Sequence, residues 1–424
     1  MKVRSKHLFI IVLAVVVAAR AARLIAAQDA APAVISLPVE PGDTWAALAA
    51  RYSLDEAALR ALNPHLNAAI QPAIGGVVNL PADATPRTGR LLRSANGGLL
   101  EIAARAGLSP WALAAGNALT TPYRPALYRP LLLPGAGTIR DLPPGIDALE
   151  VSPWPAAAGQ ALGLRGRVAP GVTGLALRLD DAVGTATVEG DRFLALVGTG
   201  AFFPGGRPEL VVRAGDGPAW VQPWQFVERE WDYQDLTLTG EAAAAADQQA
   251  RDEERARLRA LWTTVTPGPR WDAAFRLPLD DYLSVSANYG GRRSYNGGPY
   301  LTYHEGVDFS AYGGTPIYAP AAGTVVLAER LYVRGGAVII DHGLGVFSGF
   351  YHMSAIHAVA GQDVRPGDLL GEVGTTGLST GNHLHWDLLI NGIWVDAAVW
   401  QEQSMACWSL EALGRGCAPA TPSP

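Results

Sequence analysis

The hydrophobic pattern of the chain changes near residue 146, and this change limits the folds that are open to it. Before that point apolar residues repeat with helical spacing, and the first such face is Trp45, Leu48, Ala49 and Tyr52. After it, alternating runs such as Leu175–Leu179 are separated by Gly, Pro and Asp turns. Because 424 residues exceed one ordinary domain, we predict a multidomain α+β protein of about two to four compact units.

The charge balance excludes one class of partner. Lysine and arginine number 33 against 39 acidic residues, which gives a formal net charge of −6. Nucleic-acid binding requires a basic surface that attracts phosphate, and this composition does not indicate one. We therefore predict no nucleic-acid partner.

The N-terminal segment, residues 1–27, is predicted to direct export. Lys2, Arg4 and Lys6 precede twelve unbroken apolar residues, 8–19. This run is shorter than the roughly 20 residues that span a bilayer, and a basic start with a short apolar run is typical of a signal peptide. A retained membrane anchor is the alternative, and both interpretations place the rest of the chain outside the cytoplasm.

Residues 36–81 carry two helix signals followed by a short strand signal. Asp43 or Thr44 can cap the first helix, a second helix carries Leu59 and Leu62, and an apolar strand follows. This order and these residues resemble the lysin motif (LysM) domain, which has a β-α-α-β fold. The resemblance implies a small module that binds glycans containing N-acetylglucosamine.

Residues 91–134 repeat this order in weaker form. The apolar residues Leu99, Ile102 and Leu113 follow the pattern of the first module, but the Asp-Thr capping pair is missing. We predict a degenerate second lysin-motif domain, and a small helical spacer is the alternative.

Two further segments lead to the C-terminal third. Residues 146–235 predict an all-β, sandwich-like module, and we assign it a spacer or docking role because it lacks clustered histidines and cysteines. Residues 241–262 are rich in Ala, Gln, Arg and Glu and predict a mostly solvated linker helix.

The two cysteines, Cys407 and Cys417, lie in the C-terminal tail, residues 401–424. An oxidising compartment favours a disulfide between them. Two free thiols are the alternative.

Histidine is concentrated in one part of the chain, with six of eight between residues 304 and 385. Three elements stand out: His304-x-x-x-Asp308, the isolated His352, and His383-x-His385. Side chains at i and i+2 of a strand share one face, so His383 and His385 project together. Two imidazoles and one carboxylate leave a fourth tetrahedral position open, which is the ligand count of a catalytic zinc site.

Residues 283–400 resemble the lysostaphin-type (LytM-like) zinc metallopeptidase domain in these motifs and in the segments around them. The supporting segments are Gly290-Gly291-Arg292, Gly306-Val307-Asp308-Phe309 and Thr380-Gly381. The resemblance implies a mainly antiparallel β domain whose groove holds one Zn²⁺ on His304, Asp308 and His385. It also implies that His352 and His383 are catalytic histidines that do not bind the metal.

The division of labour between the two catalytic histidines stays open at this point. A neutral His383 can accept the proton of the attacking water, and His352 can stabilise the oxyanion. We favour this division over its reverse.

Several neighbours of these motifs also receive predictions. His342 is predicted to be structural, and Asp387 is a carboxylate close to a ligand. Glu305 is predicted to point away from the ligand face if its segment is extended. Three aromatic residues either line the groove or belong to the core: Tyr303, Trp386 and Trp394.

Together the two resemblances predict a peptidoglycan endopeptidase that hydrolyses peptide cross-links through a zinc-activated water. Peptidoglycan would be bound twice, as glycan by the lysin motif and as peptide in the groove. The alternatives are a catalytically silent activator of a cell-wall amidase and a glycan-binding scaffold, but all five key residues are intact. The expected location is extracytoplasmic, secreted or anchored facing the cell wall. Glycine-rich and stem-peptide cross-links both remain open as substrates.

Overall fold

The computed structural model describes residues 33–67, 70–93, 98–117, 119–123, 130–239, 248–401 and 404–418. The predicted signal or anchor, residues 1–27, lies outside these ranges, as do short parts of segments 91–134, 241–262 and 401–424. The described residues form an α+β structure with mostly antiparallel sheets, which confirms the predicted fold class. None of the helices within these ranges combines the length and the apolar character needed to cross a membrane.

The first module is a β-α-α-β unit with a small core of its own. Its elements are β1 Val34–Pro38, α1 Trp45–Tyr52, α2 Glu56–Ala61 and β2 Val77–Pro81, with β1 antiparallel to β2. Thr44 caps α1, because its hydroxyl accepts a hydrogen bond from the Ala47 amide, which has no partner within the helix. The helices and strands pack Trp45, Leu48, Leu59, Val78 and Leu80 together.

The second module has the same order of elements, β3 Thr88–Arg93, α3 Leu99–Arg105, α4 Pro110–Gly116 and β4 Pro130–Thr138. Gly98 precedes α3, so no side chain caps that helix. One contact recurs in both modules. Asn63 and Asn117 each donate to a carbonyl of the preceding helix and form hydrogen bonds in both directions with the closing strand. This shared contact supports the predicted repeat.

The third unit consists of two four-stranded antiparallel sheets that share one apolar core. Its strands are β5 Ile146–Val151, β6 Ala156–Ala157, β7 Ala161–Val168, β8 Leu175–Leu179, β9 Ala182–Val183, β10 Thr185–Glu189, β11 Arg192–Gly198, β12 Glu209–Ala214, β13 Trp220–Pro223 and β14 Phe226–Val227. One sheet has the order β10-β11-β7-β5 and the other β13-β12-β8-β9, while β6 and β14 form a short parallel pair. Side chains such as Phe193, Leu164 and Val212 fill the space between the sheets.

The first module is docked on this sandwich. The Gln222 carboxamide accepts a hydrogen bond from the Gly42 amide (2.9 Å) and donates to the Pro72 carbonyl (3.0 Å). Ile74 is buried in the core of the sandwich. Beside this contact, Asp43 and Arg51 form a buried ion pair. The turn that precedes α1 is therefore part of an interface within the chain.

The C-terminal third is built on one large antiparallel sheet. The strands of this part of the chain are β15 Tyr233–Leu236, β16 Ser284–Ala287, β17 Arg292–Tyr295, β18 Thr302–Tyr303, β19 Gly306–Ser310, β20 Pro316–Tyr318, β21 Gly323–Leu331, β22 Gly335–Asp341, β23 Val346–Met353, β24 Ala355–Ile356, β25 Asp363–Val364, β26 Leu369–Glu372, β27 His383–Ile390 and β28 Ile393–Val395. Strands β15-β17-β18 and β20-β26-β24 form two three-stranded sheets, and the remaining strands form the large sheet. The sheet order is β16-β19-β27-β23-β22-β21-β25, with β28 paired to β27. Strands β22 and β23 are buried along their whole length, so they form the centre of the domain.

Helix α5, Gln248–Trp262, packs against this sheet and differs from the solvated linker that its composition predicts. Glu254, Leu258 and Trp262 recur at i, i+4 and i+8 and are all buried. Leu258 and Trp262 join a cluster with Leu327, Tyr351 and neighbouring side chains of the sheet. The helix is therefore a wall of the C-terminal domain.

The chain ends in two short helices, α6 Ala398–Gln401 and α7 Met405–Ala412, which pack between the sandwich and the large sheet. Trp408 contacts the sandwich closely, because a Cβ placed on Gly163 would lie 2.4 Å from its ring. A disulfide joins Cys407 to Cys417. It closes the segment that follows α7.

His342 is fully buried at the end of β22, where its ring contacts the Ala322 carbonyl (2.8 Å) and the Ser348 hydroxyl (2.9 Å). Burial lowers the pKa of His342 to about 4, whereas the unfolded chain titrates near 6.5. Between these values the unfolded state binds more protons, so the free energy of unfolding should fall as the pH drops from 6.5 to 4. The loss should be on the order of 3 kcal/mol.

Urea denaturation of the wild type and of His342→Gln across this pH range checks this expectation. The variant lacks the titrating ring and should show a flatter dependence on pH. Equal slopes for the two proteins would contradict the assignment.

Candidate metal centre and active site

Two neighbouring strands place two of the predicted ligands on one face of the sheet. Strand β19 pairs antiparallel with β27, and Asp308 lies directly opposite His385. Because side chains alternate along a strand, Phe309 and Trp386 point to the other face, into the core. The third ligand, His304, lies in the link between β18 and β19 and is fully buried.

The three predicted ligands converge within hydrogen-bonding distance of one another. His304 Nε2 lies 2.9 Å from Asp308 Oδ1 and 3.0 Å from His385 Nδ1, and His385 Nδ1 lies 2.8 Å from Asp308 Oδ1. His304 Nδ1 contacts the Asn288 carbonyl at 2.9 Å, which only accepts, so the proton stays on Nδ1 and Nε2 offers its lone pair. Tetrahedral zinc with bonds of about 2.0–2.1 Å separates its ligand atoms by about 3.3 Å, close to these distances. Two imidazoles and a carboxylate therefore fit a zinc ion.

The protonation states suit metal binding. Burial alone would raise the pKa of Asp308, but His304 and His385 outweigh burial and hold this pKa well below its usual range. Burial lowers the pKa of His304 and of His385, although Asp308 partly opposes this. The carboxylate is thus ionised and the imidazoles are neutral, which are the forms that coordinate metals.

The two predicted catalytic histidines lie beside the ligands. The His352 ring centroid is 4.7 Å from that of His383 and 6.1 Å from that of His385. His383 Nε2 lies 3.8 Å from Asp308 Oδ1, while its Nδ1 donates to the Gly381 carbonyl (2.8 Å). The structure therefore brings all five predicted residues together.

His352 is held in a state that the sequence does not reveal. Its backbone adopts a left-handed conformation (φ 61°), and its Nδ1 donates to the Thr376 carbonyl at 2.7 Å. Burial, assisted by His383 and His385, lowers the pKa of His352 to about 3. The ring is therefore neutral, and its Nε2 carries a lone pair and no proton. Donation from His352 to an oxyanion, the role favoured from the sequence, would require a charged ring that this environment disfavours.

A groove of about 360 Å³ opens beside the site and is lined by His352 and His385. Tyr303 and Trp394 also line this groove, whereas Trp386 belongs to the core. Glu305 lines it too, contrary to the prediction that it points away. The prediction fails because residues 304 and 305 are not in a strand, so side-chain alternation does not apply to them.

Sequence reasoning missed four arginines that line the groove and Glu254, a buried carboxylate of the helix beside it. Arg251 and Arg255 reach it from α5, and Arg293 and Arg334 from the large domain. Glu254 holds α5 in place through Arg334. The buried i, i+4, i+8 face of α5 is the signal that could have indicated this wall.

A larger cavity, about 1040 Å³, opens on the opposite face of the sheet, where it is lined by Val307, Phe309 and Trp386. It contains none of the five predicted site residues. We therefore place the chemistry in the smaller groove.

Comparison with known proteins identifies the class to which this fold and site belong. Residues 302–397 match the family model described as peptidase family M23, and residues 39–81 match the LysM domain. The chain therefore carries an M23 peptidase domain and a LysM domain, and both predicted resemblances are confirmed.

The names of the matched relatives describe peptidases, and some of them name peptidoglycan. The chain is 35% identical over 122 residues to the peptidoglycan DD-endopeptidase ShyA of Vibrio cholerae, which covers 29% of this chain and 28% of the relative. It is 44% identical over 89 residues to the DD-carboxypeptidase/endopeptidase Mpg of Neisseria gonorrhoeae, covering 21% of this chain and 20% of the relative. The chain thus spans less than a third of the length of these relatives. A crystal structure of a putative peptidase M23 from Pseudomonas aeruginosa shares 29% identity at a TM-score of 0.42, covering 57% of this chain and 93% of that one.

Proposed function

We propose that the protein is an extracytoplasmic zinc endopeptidase that hydrolyses the peptide cross-links of peptidoglycan. The proposal is carried by one observation: His304 Nε2, Asp308 Oδ1 and His385 Nδ1 lie no more than 3.0 Å from one another. His352 and His383 lie beside them. The names of two matched relatives, the peptidoglycan DD-endopeptidases ShyA and ShyC of Vibrio cholerae, support the substrate class.

In this proposal His304, Asp308 and His385 hold the zinc ion. When bound, zinc lowers the pKa of a water molecule toward about 7 and polarises a carbonyl. Arg293 donates to the second carboxylate oxygen of Asp308 at 3.3 Å, which orients this ligand.

The two remaining histidines, His352 and His383, are the proton acceptors for the attacking water. His383 accepts the water proton at Nε2, the ring nitrogen that lies close to Asp308. His352 is neutral and also presents a lone pair at Nε2, so it is a second proton acceptor within the site. Each ring is oriented by a backbone carbonyl at Nδ1, as a base that acts in a fixed geometry requires.

The LysM domain would bring this site to its substrate. A module that binds the glycan raises the local concentration of cross-links at the groove without new contacts there. An N-terminal signal or membrane anchor, residues 1–27, would deliver the enzyme to the cell wall.

Digestion of purified sacculi tests the proposal, with muropeptides identified by mass spectrometry. We expect cross-linked dimers to fall and monomers to rise, a chelator to stop this, and added Zn²⁺ to restore it. Cleavage of glycan strands, cleavage of the bond between glycan and peptide, or undiminished activity under chelation would overturn the proposal.

A further inference from the structure

The side chains that line the groove carry more positive than negative charges. Four arginines and one glutamate line it: Arg251, Arg255, Arg293, Arg334 and Glu305. Three of the arginines already have carboxylate partners. Arg255 pairs with Glu305 (2.6 Å), Arg334 with Glu254 (3.1 Å) and Arg293 with Asp308 (3.3 Å).

Arg251 is the exception. Within the described part of the chain its guanidinium has no carboxylate partner, and its neighbour is the Tyr295 ring, whose centroid lies 5.4 Å from Cζ. The aromatic face positions the cation without neutralising it. Among the described residues, the groove therefore carries one positive charge that no carboxylate offsets.

This charge belongs to a firmly placed element. Glu254, three residues along α5 from Arg251, is buried and accepts hydrogen bonds from the Val333 amide (2.8 Å) and the Arg334 amide (3.2 Å). Arg255, one turn from Arg251, is paired to Glu305 across the groove. The helix that carries Arg251 is thus anchored to the large sheet and to Glu305 on the far side of the groove.

We propose that Arg251 binds a free carboxylate of the peptide substrate, so that the groove selects stem-peptide cross-links over uncharged glycine bridges. Stem peptides carry acidic groups near their cross-links, whereas a glycine bridge carries none along its length. Guanidinium pairs with carboxylate through parallel hydrogen bonds, which makes arginine suited to this task. This inference rests on the proposed function, and it assigns a specificity-determining residue outside the matched peptidase segment, residues 302–397.

The test compares two soluble cross-linked peptides, one with free carboxylates and one in which these groups are amidated. The ratio of kcat/KM for the acidic over the amidated peptide should fall about tenfold in Arg251→Gln. The change should appear in KM, and the preference of the wild type should weaken with salt. Arg259→Gln is the matched control, because Arg259 is exposed on the same helix and does not line the groove.

Each outcome is decisive. An unchanged ratio in Arg251→Gln overturns the inference and leaves the endopeptidase proposal intact. An equal loss on both peptides also overturns it, because a structural role for Arg251 does not depend on substrate charge. If the wild type cleaves neither peptide and leaves sacculi intact, the proposed function itself is wrong.

Discussion

Replacing His385 by Ala should abolish both zinc binding and hydrolysis, whereas His383→Ala should keep the zinc and lose only hydrolysis. His385 Nδ1 is one of three predicted ligand atoms that lie no more than 3.0 Å from one another, so its removal leaves two ligands. His383 Nε2 lies farther away, 3.8 Å from Asp308 Oδ1, and His383 is proposed to accept the proton of the attacking water. General-base removal costs roughly 10²–10⁴-fold in rate. Zinc content per chain after dialysis and kcat/KM on a soluble cross-linked peptide separate the two effects.

The exposed histidine His357, which pairs with Glu372 away from the groove, supplies a matched control as His357→Ala. It should retain both zinc and activity. Equal zinc loss in His383→Ala and His385→Ala would show that the assignment within the His-x-His pair is wrong. His352→Asn, which tolerates the left-handed backbone, should resemble His383→Ala if His352 is a second proton acceptor.

The candidate ligand set was predicted from the family resemblance, and local geometry supports only one part of the site. His383 and His385 share a face by strand alternation, and this holds in β27. The pairing of β19 with β27, which sets Asp308 opposite His385, joins residues 77 positions apart. No local pattern contains that pairing, and only the family resemblance indicated it.

Glu305 and His352 show where local reasoning fails. Glu305 was assigned to the wrong face because the alternation rule assumes a strand, and residues 304 and 305 lie outside the strands. The neutral state of His352 depends on its burial and on the neighbouring His383 and His385, because these lower its pKa, whereas the Thr376 carbonyl, 24 residues away, raises it. Both are consequences of tertiary packing, which overrides what the neighbouring residues suggest.

Helix α5 illustrates the same limit for a whole element. Its high content of charged residues predicts solvation, yet one narrow face is buried. The partners of that face are about 80 residues away, since Glu254 contacts Val333 and Arg334. A glutamate in a charge-rich run is usually exposed. The burial of Glu254 therefore could not be predicted from the sequence of α5 alone, because it depends on the sheet against which the helix packs.

Replacing Glu254 by Ala should strongly destabilise the protein, although Glu254 is a charged residue in a charge-rich helix. Its two carboxylate oxygens accept from the Val333 amide (2.8 Å), the Arg334 amide (3.2 Å) and Arg334 Nη1 (3.1 Å). Alanine leaves two amides and part of a buried guanidinium without this partner. Breaking a buried ion pair by removing one member costs about 3–5 kcal/mol, and Glu305 alone remains to pair with Arg334.

Chemical denaturation of Glu254→Ala, Glu254→Gln and Glu253→Ala measures this cost. Glu253 is exposed on the same helix, and among the described residues its carboxylate accepts one hydrogen bond, from Gln249, so its replacement should change the free energy of unfolding by no more than about 0.5 kcal/mol. Glu254→Gln keeps the shape of the side chain and one acceptor oxygen. Its loss in free energy of unfolding should lie between those of Glu254→Ala and Glu253→Ala. Hydrogen exchange at the Val333 amide should accelerate in Glu254→Ala, because that amide loses its acceptor. If Glu254→Ala and Glu253→Ala are equally stable, α5 is not anchored by this carboxylate, and the fixed position of Arg251 in the groove loses its physical basis.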